Sequence, residues 1–310
     1  MTAERFRLRL GTRSSALALA QSRLVAEALG RAHPALDVEL VPIVTRGDTT
    51  PGSLSALGGK GLFTAELEAG LADGTLDLAV HSLKDLPVTL PAGLAIAAHP
   101  PREDPRDVLL AVGAGSIDEL APGARILTGS LRRRAQLLRH RADLVVVDIR
   151  GNVDTRIRRW RESGAEGLVL AAAGLRRLGI DGAELGAHPL PATEMVPAPG
   201  QGVLAIETRR DSRAYELCRA LDDDATARAA EAERSVVAAF GGDCTLPLGA
   251  WARAEDGDGI LTLSVFLASR DASRWLQTTV RGATPAAAAE AAVTRLRRDG
   301  AQALLDQRGT

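Results

Sequence analysis

The order of short apolar segments and helix-patterned segments leaves this chain of 310 residues few folds to adopt. Phe6, Leu8 and Leu10 alternate with charged residues through 5–10, a helical pattern runs from Ala16 to Gly30, and Val38–Val44 reads as a second strand. A helix over about Leu62–Ala72 and a short apolar strand at Leu76–Val80 follow. Strand, helix, strand, helix, strand is the order of a parallel sheet with crossover helices. The proline-rich stretch Pro100–Pro105 breaks the pattern, and a second series begins. Strands at 125–128, 144–149 and 167–171 each lead to a helix, at 131–141, 153–162 and 172–178. A second proline-rich run, Pro189–Pro199, returns the chain to a strand at Val203–Glu207. The expectation is two similar α/β lobes around a cleft, with 1–100 and 200–220 in the first and 101–199 in the second. Beyond residue 221 the style changes to an Ala-rich helix at Thr226–Phe240, a segment at Trp251–Arg253, alternating strands at 260–269 and 274–281, and a helix from Pro285 to Arg298. Residues 221–310 therefore read as a smaller α+β domain.

Composition narrows the function classes. Apolar residues make up 45% and charged residues 25%, which excludes global disorder. No apolar run reaches the roughly 18 residues of a membrane span. The opening residues hold no continuous apolar stretch of a secretory signal, so a cytoplasmic protein without a membrane partner is expected. A net charge of -1 and 3% aromatic residues argue against a nucleic-acid partner. Cys218 and Cys244 form neither a disulfide framework nor a metal spacing, and no metal is expected. Of the 38 basic residues, only Lys60 and Lys84 are lysines. In a chain that uses Arg almost everywhere, these two are candidates for tasks that need a compact ammonium.

One pattern recurs three times. An apolar strand ends, a Gly/Ser/Thr turn follows, and a helix starts with Arg beside it. The instances are Gly11-Thr12-Arg13-Ser14-Ser15, Thr128-Gly129-Ser130-Leu131-Arg132-Arg133 and Arg150-Gly151-Asn152-Val153-Asp154-Thr155-Arg156. Free N–H groups at a helix start attract anions, Ser and Thr add caps or donors, and Arg offers a bidentate fork for carboxylate or phosphate. Strand-end turns of one sheet share an edge, where open α/β proteins place ligands. Each turn alone is equally an ordinary helix cap; three in register point to a polyanion.

Gly58-Gly59-Lys60-Gly61-Leu62-Phe63 departs from a Walker phosphate loop, because position 54 is Leu and Gly follows Lys60. It reads either as a plain loop before a helix or as a flexible segment carrying an ammonium and an aromatic ring. His81-Ser82-Leu83-Lys84-Asp85-Leu86-Pro87 places an ammonium beside a carboxylate at a strand end. That carboxylate suits N–H protons of a heterocycle or a cation formed from one, or else a surface ion pair. His81 reads as a core or capping histidine. Cys244 lies in the glycine-flanked loop Gly241–Gly249, while Cys218 sits in a helical run and reads as packed. Two other classes fit part of the pattern. A non-enzymatic two-lobed anion-binding protein accounts for the Arg turns but not for Cys244, and a nucleic-acid binder would use Arg132–Arg134 and Arg156–Arg161.

In order and spacing, these segments resemble the hydroxymethylbilane synthase (porphobilinogen deaminase) family over nearly the whole chain. The carriers are Thr45-Arg46-Gly47-Asp48, Gly58–Phe63, Ala79-Val80-His81-Ser82-Leu83-Lys84-Asp85, Arg102-Glu103-Asp104-Pro105-Arg106-Asp107, Ser130-Leu131-Arg132-Arg133, Arg150-Gly151-Asn152-Val153, Ala173-Gly174-Leu175-Arg176-Arg177-Leu178 and Gly200-Gln201-Gly202. The resemblance implies two lobes like those of type II periplasmic binding proteins and a third domain. A dipyrromethane cofactor would be bound through a thioether to Cys244. The implied activity joins four porphobilinogen molecules head to tail with release of ammonia, on a monomeric enzyme. By resemblance, Asp85 would be catalytic and would contact the cofactor together with Lys84, Ser130, Arg132 and Arg133. Arg13, Ser15, Lys60, Phe63, Arg150, Arg156 and Arg177 would bind porphobilinogen and the growing oligopyrrole chain. Three positions depart from the family pattern: Ala56 where a lysine is common, Gly129 where a hydroxyl residue is usual, and Asp243 where glycine precedes the cysteine.

Overall fold

The structure is a computed structural model that describes residues 6–49, 63–241, 246–254 and 259–306. In chain order its elements are β1 (Phe6–Arg13), α1 (Ala16–Ala32), β2 (Leu36–Ile43), α2 (Arg46–Thr49), α3 (Ala65–Asp73), β3 (Leu78–Ser82), β4 (Leu94–Ala98), β5 (Asp107–Ala111), β6 (Arg125–Leu127), α4 (Leu131–His140), β7 (Val145–Val147) and α5 (Val153–Ser163). There follow β8 (Gly167–Ala171), α6 (Ala172–Arg177), β9 (Ala187–Pro189), β10 (Leu204–Arg209), α7 (Arg213–Cys218), α8 (Asp224–Ala239), β11 (Leu248–Ala254), β12 (Leu261–Ala268), β13 (Trp275–Gly282), α9 (Pro285–Arg298) and α10 (Ala301–Leu305). The chain divides into two compact units, Met1–Arg102 with Val203–Ala227 and Glu103–Gly202 with Arg228–Thr310.

The first unit is built on a five-stranded sheet of order β2-β1-β3-β10-β4. β1 runs parallel to β2 and β3, whereas β10 is antiparallel to β3 and β4. One face packs Leu8, Leu10, Leu78, Val80, Leu204 and Ile206 against Val25 and Leu29 of α1 and Ala214 and Cys218 of α7. The other face packs Ala79 and Leu94 against Leu67 and Leu71 of α3. Burial on both faces explains why β3 and β10 open with the continuous apolar runs Leu78–Val80 and Leu204–Ile206, whereas β1 alternates. β1 extends to Arg13, through a segment that the sequence reads as a turn, because Gly11, Thr12 and Arg13 pair with Val41, Pro42 and Ile43. A Cβ at Gly11 would come 2.5 Å from Leu76 Cδ1 and 2.9 Å from Leu67 Cδ2, so any larger residue would make both leucines shift.

In the second unit a sheet of order β7-β6-β8-β5-β9 repeats that plan. β6 is parallel to β7 and β8, and β5 is antiparallel to β8 and β9. In both sheets the odd, antiparallel strand is the one that follows a proline-rich crossing: β5 after Pro105 and β10 after Pro199. The same unit holds the C-terminal domain, a three-stranded antiparallel sheet β11-β12-β13. Its core joins Leu263, Val265 and Leu267 to Val236 of α8 and Ala288, Ala292 and Leu296 of α9. α9 begins as the sequence reads it, with Pro285 in its first turn and the Thr284 hydroxyl accepting from the Ala287 N–H. The α/β expectation with a smaller C-terminal domain therefore holds; β4, β5 and β9 are strands that the sequence reading does not assign.

Cys218 closes α7 with no exposed surface, and burial pushes its thiol up to about 12. A thiol with so little thiolate at neutral pH is a poor nucleophile. Native protein treated with iodoacetamide at pH 8 is expected to leave Cys218 unmodified, with alkylation appearing only in denaturant. Peptide mapping checks this, and rapid native labelling of Cys218 would contradict the packing.

Candidate active site

In the first unit, parallel pairing puts the C-terminal ends of β1 and β3 on one sheet edge. β1 ends in Arg13, and the Ser15 hydroxyl caps α1 by accepting from the Ala18 N–H at 3.3 Å. The Arg13 guanidinium lies 4.2 Å from the centre of the Phe63 ring, a cation–π contact that orients both groups. β3 runs directly into a 3-10 turn, Leu83–Asp85, which carries Lys84 and Asp85. The turn is pinned from inside: Leu83 and Leu86 are buried, the Leu83 N–H donates to Val203 O at 3.0 Å, and the Leu86 N–H donates to Leu83 O at 3.1 Å. Between these anchors Lys84 is half-buried and Asp85 is exposed. Gln21 of α1 adds a further tie, donating from Nε2 to Ser82 Oγ at 3.0 Å. This edge therefore brings together Arg13, Ser15, Phe63, Lys84 and Asp85.

The second unit collects the other residues on the corresponding edge of its own sheet. β6, β7 and β8 end there, and the antiparallel β5 begins there with Asp107, which is paired with Ala171. Ser130 caps α4 by accepting from the Arg133 N–H at 3.4 Å. Arg132 and Arg133 are 4% and 5% exposed, and both turn inward onto the wholly buried Asp107. Arg132 donates from Nη1 to Oδ2 at 2.7 Å, and Arg133 donates from Nη2 to Oδ1 at 2.9 Å. Gln201 Nε2 donates to the same Oδ1 at 2.8 Å and to Pro105 O at 2.7 Å. Burial alone would raise the Asp107 carboxyl, but the two guanidinium groups outweigh it and hold the carboxyl well below the usual carboxylate range. Two guanidinium groups against one carboxylate leave an excess of positive charge, and the Nε of Arg132 is buried without an acceptor among the described residues.

Arg150 pairs with Asp148 at 3.1 Å, and Arg156 at the start of α5 donates from Nε to Gly151 O at 2.7 Å. Arg177, at the end of α6, donates from Nη2 to Gly202 O at 2.6 Å. Burial pushes its guanidinium down to about 10, with Glu103 opposing that shift. A desolvated cation of this kind gains most from an incoming carboxylate. Gly129 has a structural cause: a Cβ there would meet Ile149 O at 2.6 Å, so the exit of β7 occupies the place of a side chain. Lys60, Cys244, Ala56 and Asp243 lie outside the described residues.

Sequence reasoning assigned no role to Asp107, Gln201 or Gln21. The first two stand inside the segments Arg102–Asp107 and Gly200–Gly202, but their task depends on Arg132 and Arg133, far along the chain. Among the described residues no His, Cys, Asp and Glu cluster could hold a metal ion.

The cationic side chains and capped helix starts at the two sheet edges are those a polyanion-binding protein would present, with one exposed carboxylate and one ammonium at the end of β3. Comparison with known proteins narrows this class. Residues 8–216 match the family model described as porphobilinogen deaminase, dipyromethane cofactor binding domain, and residues 227–299 match the porphobilinogen deaminase C-terminal domain. A porphobilinogen deaminase of Syntrophotalea carbinolica is 47% identical over 286 residues, 92% of this chain and 89% of that protein. One from Moorella thermoacetica is 44% identical over 304 residues, 97% of this chain and 96% of that protein. A solved methionine-binding protein superposes with a TM-score of 0.43 at 14% identity, covering 69% of this chain and 89% of its own. The chain belongs to the porphobilinogen deaminase family.

Replacing Asp107 by Asn would leave two buried guanidinium groups without their counter-charge, a change that commonly costs about 3–5 kcal/mol. Asp107→Asn is therefore expected to lower the urea midpoint markedly at pH 7. The depressed carboxyl stabilises the fold above the unfolded value of about 4 and loses that contribution as the pH falls. The gap between parent and variant should accordingly shrink on acidification. An equal urea midpoint at pH 7 would refute the charge balance.

Proposed function

We propose that this chain joins four porphobilinogen molecules head to tail, with release of ammonia, into hydroxymethylbilane for tetrapyrrole synthesis. The observation that carries the reading is the pinned turn of Lys84 and Asp85, on the same sheet edge as Arg13 and Ser15, in a chain of this family. We propose further that it acts as a cytoplasmic monomer, with neither nucleic acid nor membrane as partner. Among the described residues, no helix is long and apolar enough to cross a membrane. In this reading 1–100 with 200–220, 101–199 and 221–310 are three functional domains.

The residues present fit a dipyrromethane group. Its acetate and propionate carboxylates match the excess positive charge around Arg132 and Arg133 and the orphaned Nε of Arg132. Ser130, Arg132, Arg133, Lys84 and Asp85 would hold it, with Cys244 as the thioether anchor. When bound, the group supplies a nucleophilic pyrrole end on which the chain is extended.

The remaining work falls to side chains. Arg13, Ser15, Arg150, Arg156 and Arg177, with Lys60, bind carboxylates of porphobilinogen and of the growing chain. Phe63, held against Arg13, offers a face for a pyrrole ring. Loss of ammonia from the aminomethyl group develops positive charge near the pyrrole nitrogen. A carboxylate accepting that N–H binds more strongly as the charge grows, which lowers the barrier. Asp85 takes this role, and its carboxylate assists proton transfer to and from the ring. Lys84 balances the carboxylates that collect beside it.

Two measurements test this reading. Intact-protein mass should exceed the sequence mass by a covalent two-pyrrole adduct that maps to Cys244 and survives Cys218→Ser; an unmodified Cys244 in active enzyme would remove the anchor. Asp85→Asn should cut single-turnover ammonia release by about 100-fold or more, with Asp85→Glu retaining measurably more. Near-normal release by a folded Asn variant would exclude Asp85 from the chemistry.

A further inference from the structure

Beneath the start of α3 the first unit buries a group of ionisable side chains that the proposed chemistry does not use. His81, the penultimate residue of β3, is 6% exposed, and Glu207 of β10 has no exposed surface. In the antiparallel register His81 faces Ala205 and Ala79 faces Glu207, so His81 and Glu207 are diagonal neighbours on one face. Ala79, on that face, packs against α3. The His81 Nε2 lies 3.0 Å from Glu207 Oε2. The pair lacks hydrogen-bond alignment, and neither oxygen of Glu207 has a hydrogen-bond donor among the described residues. Glu68 of α3 is close enough for the charges of both to act on it, with the Thr64 hydroxyl beside its carboxyl. Burial raises the Glu68 carboxyl and Glu207 adds to the shift, with Thr64 and His81 opposing it.

We propose that His81 and Glu207, with Glu68 of α3, are positioning residues for the turn that carries Lys84 and Asp85. The strand end that feeds this turn is tied on both faces. On the α1 face Ser82 accepts from Gln21 at 3.0 Å; on the α3 face the only polar tether of β3 among the described residues is the His81–Glu207 pair. A buried imidazole and carboxyl in contact have a large stake in their geometry, because removing one partner leaves the other without its polar neighbour. A small shift of the strand end displaces Asp85 from the ring nitrogen it must meet, and displacements of about 1 Å can cost as much as 100-fold in rate.

The inference rests on the proposed role of Asp85, and its test separates the two. Glu207→Gln keeps the shape and removes the charge. It should lower kcat for ammonia release about tenfold per folded molecule with little change in KM, and it should speed amide exchange in the peptide spanning 78–86. Glu68→Gln, which keeps the shape of the third member, should lose clearly less activity. If Glu207→Gln does not fold, His81→Gln carries the same measurements. A folded Glu207→Gln with parent kcat and parent exchange would overturn the proposal, as would a Glu68→Gln as impaired as Glu207→Gln. Failure of the Asp85 reading shows itself differently, as normal release by Asp85→Asn, and leaves the exchange measurement to stand alone.

Discussion

Two guanidinium groups share one buried carboxylate at the first residue of β5, and much of the second unit is arranged around that imbalance. Asp107 receives Arg132 and Arg133 from α4 and Gln201 from the returning segment. Arg132 also reaches Val196 O at 2.7 Å, and Arg133 reaches Val169 O at 3.0 Å. Five segments, at 105–107, 132–133, 169, 196 and 201, thus meet at one charge. Burying an isolated ion is costly, and the cost is offset only when geometry and hydrogen bonds are nearly complete. Here they are nearly complete for the carboxylate and incomplete for the cations, and that suits a place that receives further anions.

The first unit solves a different problem. The Asp85 carboxyl is held in place without being buried. Leu83 and Leu86 fix the turn by apolar burial on either side of Lys84 and Asp85, while the backbone of Val203 ties it to the neighbouring strand. The rigid sheet sets position, and Asp85 stays exposed on the turn.

Much of this was legible in the sequence. The helices at Leu131–His140 and Val153–Ser163 lie where the capped turns before them say, because a Ser cap or a strand end followed by an amphipathic run is a local signal. β5 is hidden by its position: Asp107-Val108-Leu109-Leu110-Ala111 follows directly on Pro105 and reads as part of the crossing. β9 is three residues long and carries no periodicity. The inward turn of Arg132 and Arg133 was also out of reach. An Arg beside a helix start looks the same on paper whether it faces solvent or a carboxylate 25 residues earlier. His81 was legible as a core histidine, but its partner Glu207 lies on a strand of the return segment, and only the sheet brings the two together.

The strand order of the two sheets bears on how such a chain emerges from the ribosome. The fourth strand of the first sheet, β10, is made only after the whole segment 103–202. Until then β3, whose Leu78, Ala79 and Val80 are wholly or almost wholly buried in the finished protein, has an open edge on the side that β10 will take. An open apolar edge is a template for pairing with other chains. The nascent first unit therefore has to wait, with the turn of Lys84 and Asp85 not yet tied to Val203, while the second sheet is synthesised, and the residues that complete it arrive together: Val203 for the turn, and Glu207 for the histidine behind it.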